Sequence, residues 1–349
     1  MSSNNPEQQK LTPISELGEF GLIEHLNKNA RQNNTSTLKG IGDDAAVIHY
    51  EKDKVTVVST DLLVEGIHFD MVYTPLKHLG YKSVVVNLSD IFAMNAIPRQ
   101  ITVSIAVSSR FTVEALEEIY EGIHAACDAY GVDLVGGDTS SSRLGLVISV
   151  TAIGEAKADE IVYRDTAEVG DMICITGDLG GAYLGLQILE REKEVFIADS
   201  NMKPDLTASK YLIARQLKPE PRNDIIDILQ NMKIKPTSMI DVSDGLSSDL
   251  LHICDQSNVG CRIFQENIPI HPDTLKTAMQ MGLPPITCAL SGGEDYELLF
   301  TVSPKDADRL EEIQGFSIIG RITDANKGRY LFTKKGEQHE LIAQGWKHI

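Results

Sequence analysis

Apolar positions along the chain follow two rhythms that alternate. Short β-branched or apolar runs at Val55 to Ser59, Ile101 to Val107, Leu146 to Ile153, Met172 to Thr176 and Leu298 to Val302 predict strands. Between them apolar residues recur three and four apart. Leu116, Ile119, Tyr120, Ile123, Ala126 and Cys127 line one face of a helix that Thr112 caps and Gly131 stops. Leu76 to Asn95 and Leu246 to Gln256 read as helices in the same way, and Leu17, Phe20, Ile23 and Leu26 place a shorter one near the start. Strand, helix, strand, strand is the grammar of an α/β sheet carrying helices, classed here as α/β (α+β). Near Asp159 the chain turns polar before a new series of elements opens at Met172, which predicts two domains, residues 1–157 and 158–349. A polar and helical insert is expected to extend to about Asn231.

The polar breaks in this pattern are acidic. GIGDDAAV (Gly40 to Val47), STDLLVEGIHF (Ser59 to Phe69), NLSD (Asn87 to Asp90), GGDTSSS (Gly136 to Ser142), DVSDGLSSD (Asp241 to Asp249) and SGGEDYELLF (Ser291 to Phe300) each set carboxylates beside a Gly-rich or apolar segment. They read as acid-rich turns; Asp61 is expected where the first strand stops, and Asn87 and Asp90 three apart on one helix face. Any one of these acids, taken alone, reads as a turn or an N-cap residue. Caps, however, do not require Gly-Gly before the acid or a second acid one or three positions on. Two ionised carboxylates about 4 Å apart repel by roughly 4 kcal/mol at an effective dielectric near 20, so a shared site implies cations.

Ligand hardness selects the cation. Carboxylate and hydroxyl oxygens suit Mg2+ or Ca2+, whereas zinc prefers closely spaced Cys and His. The five cysteines form no C-x-x-C pair and the nine histidines no H-E-x-x-H, while Asp241-x-x-Asp244-Gly245 lacks the spacing of a calcium loop. Magnesium is therefore expected. Gly40-Ile41-Gly42-Asp43-Asp44-Ala45 formally matches a dinucleotide-binding turn, but no clear strand precedes it and two acids would face the pyrophosphate. No G-x-x-x-x-G-K-S/T occurs either, so a nucleotide would be held through Mg2+, backbone N–H groups of Gly-rich turns and a few cations such as Arg164. Read alone, Arg164 is as readily a surface ion pair, His68 a buried and satisfied histidine, Tyr120 a core residue and Trp346 an anchor for the tail.

Charge and hydropathy narrow the partners. With 50 acidic against 32 basic residues among 349, the net charge is −18, which argues against nucleic-acid or anionic-membrane surfaces. No run approaches the roughly 18 to 20 apolar residues that span a bilayer, and the opening MSSNNPEQQK is polar rather than signal-like. An odd, unpatterned set of cysteines fits reduced thiols, so a cytoplasmic location is expected.

Taken in order, GIGDDAA, STDLLVEGIHF, NLSDIFAMNAIP, GGDTS, YRDTAEVGD, DVSDGLSSDL and GGEDYELLF resemble the thiamine-monophosphate kinase family. That family sits in the superfamily of aminoimidazole ribonucleotide synthetase and the selenophosphate and hydrogenase-maturation enzymes. The likeness extends from Gly18-Glu19-Phe20 to Trp346; Asp165-Thr166 stands where a small-residue stretch is the pattern. The resemblance implies a two-domain aminoimidazole ribonucleotide synthetase-like fold, an N-terminal sheet that pairs across a homodimer, and ATP with several Mg2+ ions in a cleft between the domains. It implies metal ligation by Asp44, Ser59, Thr60, Asp61, Asp90, Asp138, Asp241 and Asp244, with Asp61, Asp90 and Asp138 catalytic. It implies ATP contacts at Tyr120, Gly137, Asp138, Arg164 and Ser243, and thiamine phosphate contacts at His68, Glu294 and Trp346. The implied reaction is phosphorylation of thiamine monophosphate by ATP. The alternatives are another ATP-dependent synthetase of the superfamily and a non-catalytic magnesium- or nucleotide-binding protein.

Overall fold

The predicted strands form, several of them longer than the β-branched runs that announce them. In the computed structural model the described residues are 12, 16–17, 22, 25–39, 47–48, 53–199, 209–310 and 313–343. The first half contains β1 (Thr37–Lys39), β2 (Val47–Ile48), β3 (Lys54–Val64), α1 (Leu76–Ala93), β4 (Ile97–Val107), α2 (Val113–Tyr130), β5 (Asp133–Ser141) and β6 (Val147–Lys157). β1 and β2 pair with each other, while the four longer strands form a sheet in the order β3, β6, β4, β5.

Two expectations about the acids change here. Asp61 lies inside β3 and not at its end, because the strand continues through Leu62, Leu63 and Val64. Side chains alternate along β3, with Ser59, Asp61 and Leu63 on its more covered face and Val58, Thr60 and Leu62 on the open one. GGDTSSS is likewise strand and not turn, since β5 runs parallel to β4 in a register that pairs Val103 with Gly137, Ser104 with Asp138 and Val107 with Ser141. NLSD is helical, being the penultimate turn of α1, and Asn87 there is fully buried.

The caps behave as the residue types require. Thr112 accepts a hydrogen bond from the Ala115 N–H at the start of α2, and Gly131 ends the helix at φ 64° with its N–H bonded to the Cys127 carbonyl. Leu116, Ile119, Tyr120 and Ile123 are buried along that helix as the spacing predicts. Half of the short helix expected over 15–28 lies outside the described residues; His25 to Asn27 are helical, and Leu22 and Leu26 are buried.

The second half contains β7 (Met172–Thr176), α3 (Gly181–Ala198), α4 (Lys210–Leu217), α5 (Asn223–Met232), β8 (Ser238–Asp241), α6 (Leu246–Gln256), β9 (Val259–Phe264), α7 (Pro272–Gln280), α8 (Pro285–Ser291), β10 (Leu298–Val302), α9 (Pro304–Leu310), β11 (Phe316–Asp324), β12 (Arg329–Phe332) and β13 (Gln338–Glu340). Seven strands make one sheet in the order β13, β12, β9, β11, β7, β10, β8, antiparallel except between β9 and β12. Leu246, Leu250 and Ile253 project from one face of α6 onto Ile173 and Ile175 of β7, Ile263 of β9 and Leu299 of β10. Each such side chain contributes about 1.5–3 kcal/mol when fully buried. Leu184 and Ile188 of α3 pack with Leu212 of α4, Ala278 of α7 and Cys288 of α8 in a separate cluster, so the expected helical insert shares a small core with α7 and α8.

By compactness the chain divides into two units. One comprises described residues of 1–50, 60–84 and 99–151, and the other those of 51–59, 85–98 and 152–349. Among the described residues no helix is long and apolar enough to cross a membrane, and all five cysteines are free and buried.

Candidate active site

In the second unit the acid motifs are joined into one construction. β8 delivers Asp241, the turn Val242 to Gly245 follows, and α6 starts at Leu246. Against that turn lies SGGEDYE, hydrogen-bonded through Glu294 N–H to the Ser243 carbonyl at 2.7 Å, Tyr296 N–H to the Val242 carbonyl at 2.9 Å and Val242 N–H to the Glu297 carbonyl at 2.8 Å. Glycine is what lets two turns meet this closely. A Cβ on Gly293 would lie 2.5 Å from the Ser243 carbonyl oxygen, and Gly245 holds φ 115° with the Gly292 carbonyl oxygen 3.0 Å from where its Cβ would stand. Glu294 and Tyr296 keep left-handed φ values of 64° and 52° although neither is glycine, a strained backbone that persists only where its surroundings impose it.

The helical NLSD segment reaches the same place. Ser89 donates to the Asp241 carboxylate at 2.7 Å, both groups being buried, and Ser59 donates to the carboxylate of Asp90. Burial raises the Asp90 pKa despite the Ser59 hydrogen bond and the positive charge of the exposed Arg164. Asp249, the last acid of DVSDGLSSD and not among the expected ligands, closes the turn by accepting from the N–H groups of Asp244 at 3.3 Å and Gly245 at 3.1 Å. Burial, then the neighbouring Asp244 carboxylate, push its pKa up to about 7 against those two hydrogen bonds and Arg164. Hydrogen bonds thus tie Ser59 to Asp90, Ser89 to Asp241, and Ser243 and Asp244 to Glu294 and Asp249, with the charge of Arg164 acting on Asp90 and Asp249.

A second network, also missed, supports the SGGEDYE segment from beneath. Asp295 is almost fully buried and accepts from the N–H groups of Gly180 at 2.6 Å and Ala182 at 3.2 Å. Burial pushes its pKa up to about 6, although Arg215 lies alongside. Glu297 takes a guanidinium from each side, Arg215 at 2.9 Å and Arg222 at 2.8 Å, and also accepts from the Thr176 hydroxyl at 2.5 Å. Burial alone would lower the Arg215 pKa, but the carboxylates of Glu297 and Asp295 raise it further, so the side chain stays charged. The signal in the sequence was two acids, Asp295 and Glu297, at the mouth of the apolar run Leu298–Val302, because buried acids require partners.

In the first unit the candidates are more dispersed. Thr60 faces the open side of β3, where its hydroxyl donates to the Val150 carbonyl at 3.1 Å and accepts from Thr151 at 3.0 Å. The backbone carbonyl of Asp61 accepts from Ser149, and Asp138 is exposed on β5 one position beyond Gly137. His68 Nδ1 accepts from the Val64 N–H at 3.0 Å, which fixes the ring over its own turn. Tyr120 is 6% exposed within the apolar face of α2, and burial pushes its pKa up to about 12. Asp44 and Trp346 lie outside the described residues.

The donors gathered in the second unit are carboxylate and hydroxyl oxygens, a hard set that fits magnesium. Among the described residues no three His, Cys, Asp or Glu side chains converge as a complete cage. Magnesium does not require one, since it commonly takes one or two carboxylates and completes its shell with water and substrate phosphates. The mutual repulsion of Asp244 and Asp249 is the kind of charge that a nearby cation relieves.

Comparison with known proteins gives a consistent answer. The description AIR synthase related protein, N-terminal domain, matches residues 42–156, and the corresponding C-terminal domain matches 168–332. The thiamine-monophosphate kinase of Buchnera aphidicola subsp. Schizaphis graminum is 38% identical over 340 residues, covering 93% of this chain and 99% of that one. The crystal structure of thiamine-monophosphate kinase from Stenotrophomonas maltophilia K279a aligns with a TM-score of 0.77 at 31% identity, covering 93% of this chain and 98% of that one. A structure described as AaThiL complexed with AMPPCP and TMP aligns with a TM-score of 0.74 at 31% identity, covering 98% and 100%.

Proposed function

This chain belongs to the thiamine-monophosphate kinase family, built from the paired AIR synthase related domains, and on that premise we propose how its residues carry out the reaction. The protein phosphorylates thiamine monophosphate with ATP, giving thiamine diphosphate and ADP. The observation that carries this reading is the 31% identity, across 98% of the chain, to a structure holding AMPPCP and TMP together. Transfer is direct and in line. The acceptor is a phosphate whose second pKa lies near 6, so its oxygen is already ionised at neutral pH and needs no strong general base. The residues therefore act by holding and orienting two polyanions.

The side chains assigned to metal are Asp44, Ser59, Thr60, Asp61, Asp90, Asp138, Asp241 and Asp244. These residues would hold magnesium, which would supply charge neutralisation between the substrates and stabilisation of the transferring group. Support comes from the hydroxyl-oriented carboxylates, Ser59 on Asp90 and Ser89 on Asp241. Tyr120, Gly137, Asp138, Arg164 and Ser243 are assigned to ATP, and His68, Glu294 and Trp346 to thiamine phosphate, where the Glu294 carboxylate complements a cationic thiazolium or an aminopyrimidine donor. The domains are assigned to 1–157 and 158–349, a division supported by family matches that end at 156 and resume at 168.

The protein is assigned as a homodimer joined through the sheet of β3 to β6. Val58 is 61% and Leu62 53% exposed on the open face of β3, an edge strand of that sheet. A cytoplasmic location is supported by five free cysteines. Chelation tests the metal assignment: turnover is expected to vanish in excess EDTA and to return with added Mg2+. Undiminished turnover after complete chelation would overturn it.

A further inference from the structure

Two adjacent residues of α4, Arg215 and Gln216, hold the SGGEDYE segment from the same side. Arg215 bonds the Glu297 carboxylate at 2.9 Å and the Asp295 carbonyl at 3.1 Å. Gln216, 4% exposed, donates its side-chain amide to the Glu294 carboxylate at 2.5 Å. Glu294 is fixed at its backbone as well, by φ 64° and by its N–H bond to the Ser243 carbonyl at 2.7 Å. A glutamate on a strained turn has three side-chain torsions, and a partly buried, charge-assisted hydrogen bond to Oε2 selects the plane of its carboxylate. Arg215, anchored at two points on the same segment, holds α4 in register so that the amide arrives there.

We infer that Gln216 is a positioning residue for the acceptor: it presets the Glu294 carboxylate toward the cationic or hydrogen-bond-donating part of thiamine monophosphate. The inference rests on the assignment of Glu294 to that substrate. Preorganisation lowers the ordering cost of binding, so Gln216 acts on acceptor affinity and on neither the nucleotide nor the transfer step.

The test is a kinetic double-mutant cycle in the full-length enzyme with Gln216→Met, which keeps the side-chain length and removes the amide, Glu294→Ala, and the pair. Gln216→Met is expected to raise KM for thiamine monophosphate about tenfold, the effect of losing one hydrogen bond to a charged group. KM for ATP and kcat stay within about twofold, and the substitution adds nothing once Glu294 is alanine. An unchanged KM for thiamine monophosphate, or an equal rise in both backgrounds, overturns the inference. Should Gln216→Met fail to fold, Gln216→Glu, which sets like charge against Glu294, takes its place and must raise the same KM without changing that for ATP. If Glu294→Ala alone leaves acceptor KM unchanged, the assignment of Glu294 itself fails, a result readable without any Gln216 variant.

Discussion

On the assignment proposed above, replacing Asp61 or Asp138 is expected to separate chemistry from folding. Asp61 is half-buried on β3 and Asp138 exposed on β5, so an isosteric amide at either leaves the packing as it is. Asp61→Asn or Asp138→Asn is expected to cut kcat by about 100-fold or more at saturating Mg2+, in keeping with the loss of charge at a phosphoryl-transfer centre. Thermal unfolding should move by no more than a degree or two, and near-normal turnover would remove these two from the machinery. Asp295 makes the complementary prediction. Its pKa rises from 3.8 to about 6 on folding, so the native state holds a proton that the unfolded chain has already released between those values. Its contribution is complete below about pH 4 and is lost as pH rises through 6, at up to about 1.4 kcal/mol per pH unit. Urea denaturation from pH 4 to 7 should show wild type losing stability relative to Asp295→Asn as pH increases; a flat difference would contradict the burial argument. At this scale the oxygen-rich acids were legible in the sequence, but the role of Asp249 was not: it comes from two N–H groups four and five residues earlier, a contact that residue type does not reveal.

At the scale of elements, the segment that carries Glu294 is held by a helix distant in sequence. Arg215 and Glu297 are 82 residues apart, and Arg222 and Glu297 75, which is why no local pattern announced the network. Glu297 is 2% exposed between two guanidiniums that are themselves mostly covered. Glu297→Ala would leave both without their shared counter-charge, a change expected to cost about 3–5 kcal/mol. Chemical denaturation reads this directly, and a loss under about 1 kcal/mol would show that the pairs are solvated. Periodicity did better where packing follows it. The strands Met172–Thr176 and Leu298–Val302 and the helix Leu246–Gln256 have the bounds that their apolar runs predicted. β3 and β5 ran on through their acids because strand pairing, not propensity, decides where a strand ends. The Gly-Gly-Asp of β5 read as a turn from composition, yet its backbone is satisfied by β4.

For the whole molecule the open face of β3 leads to an assembly prediction. Sedimentation or light scattering should give twice the chain mass, and Leu62→Arg, which puts charge on a side chain 53% exposed in the single chain, should shift the population toward one chain. Wild type that sediments as a single chain at micromolar concentration would refute the sheet-paired dimer. The acids themselves pointed to magnesium, and the reaction was legible only through the family resemblance that the ordered motifs carry, whereas the supports beneath them depend on contacts that only the fold creates. The most direct test of the account is a chromatographic assay of the purified protein with ATP, Mg2+ and thiamine monophosphate, with thiamine and metal-free samples as controls. Equimolar ADP and thiamine diphosphate are expected, only with the monophosphate and only with metal present. A folded protein that binds ATP but forms no thiamine diphosphate would contradict the account and assign the same site to another acceptor.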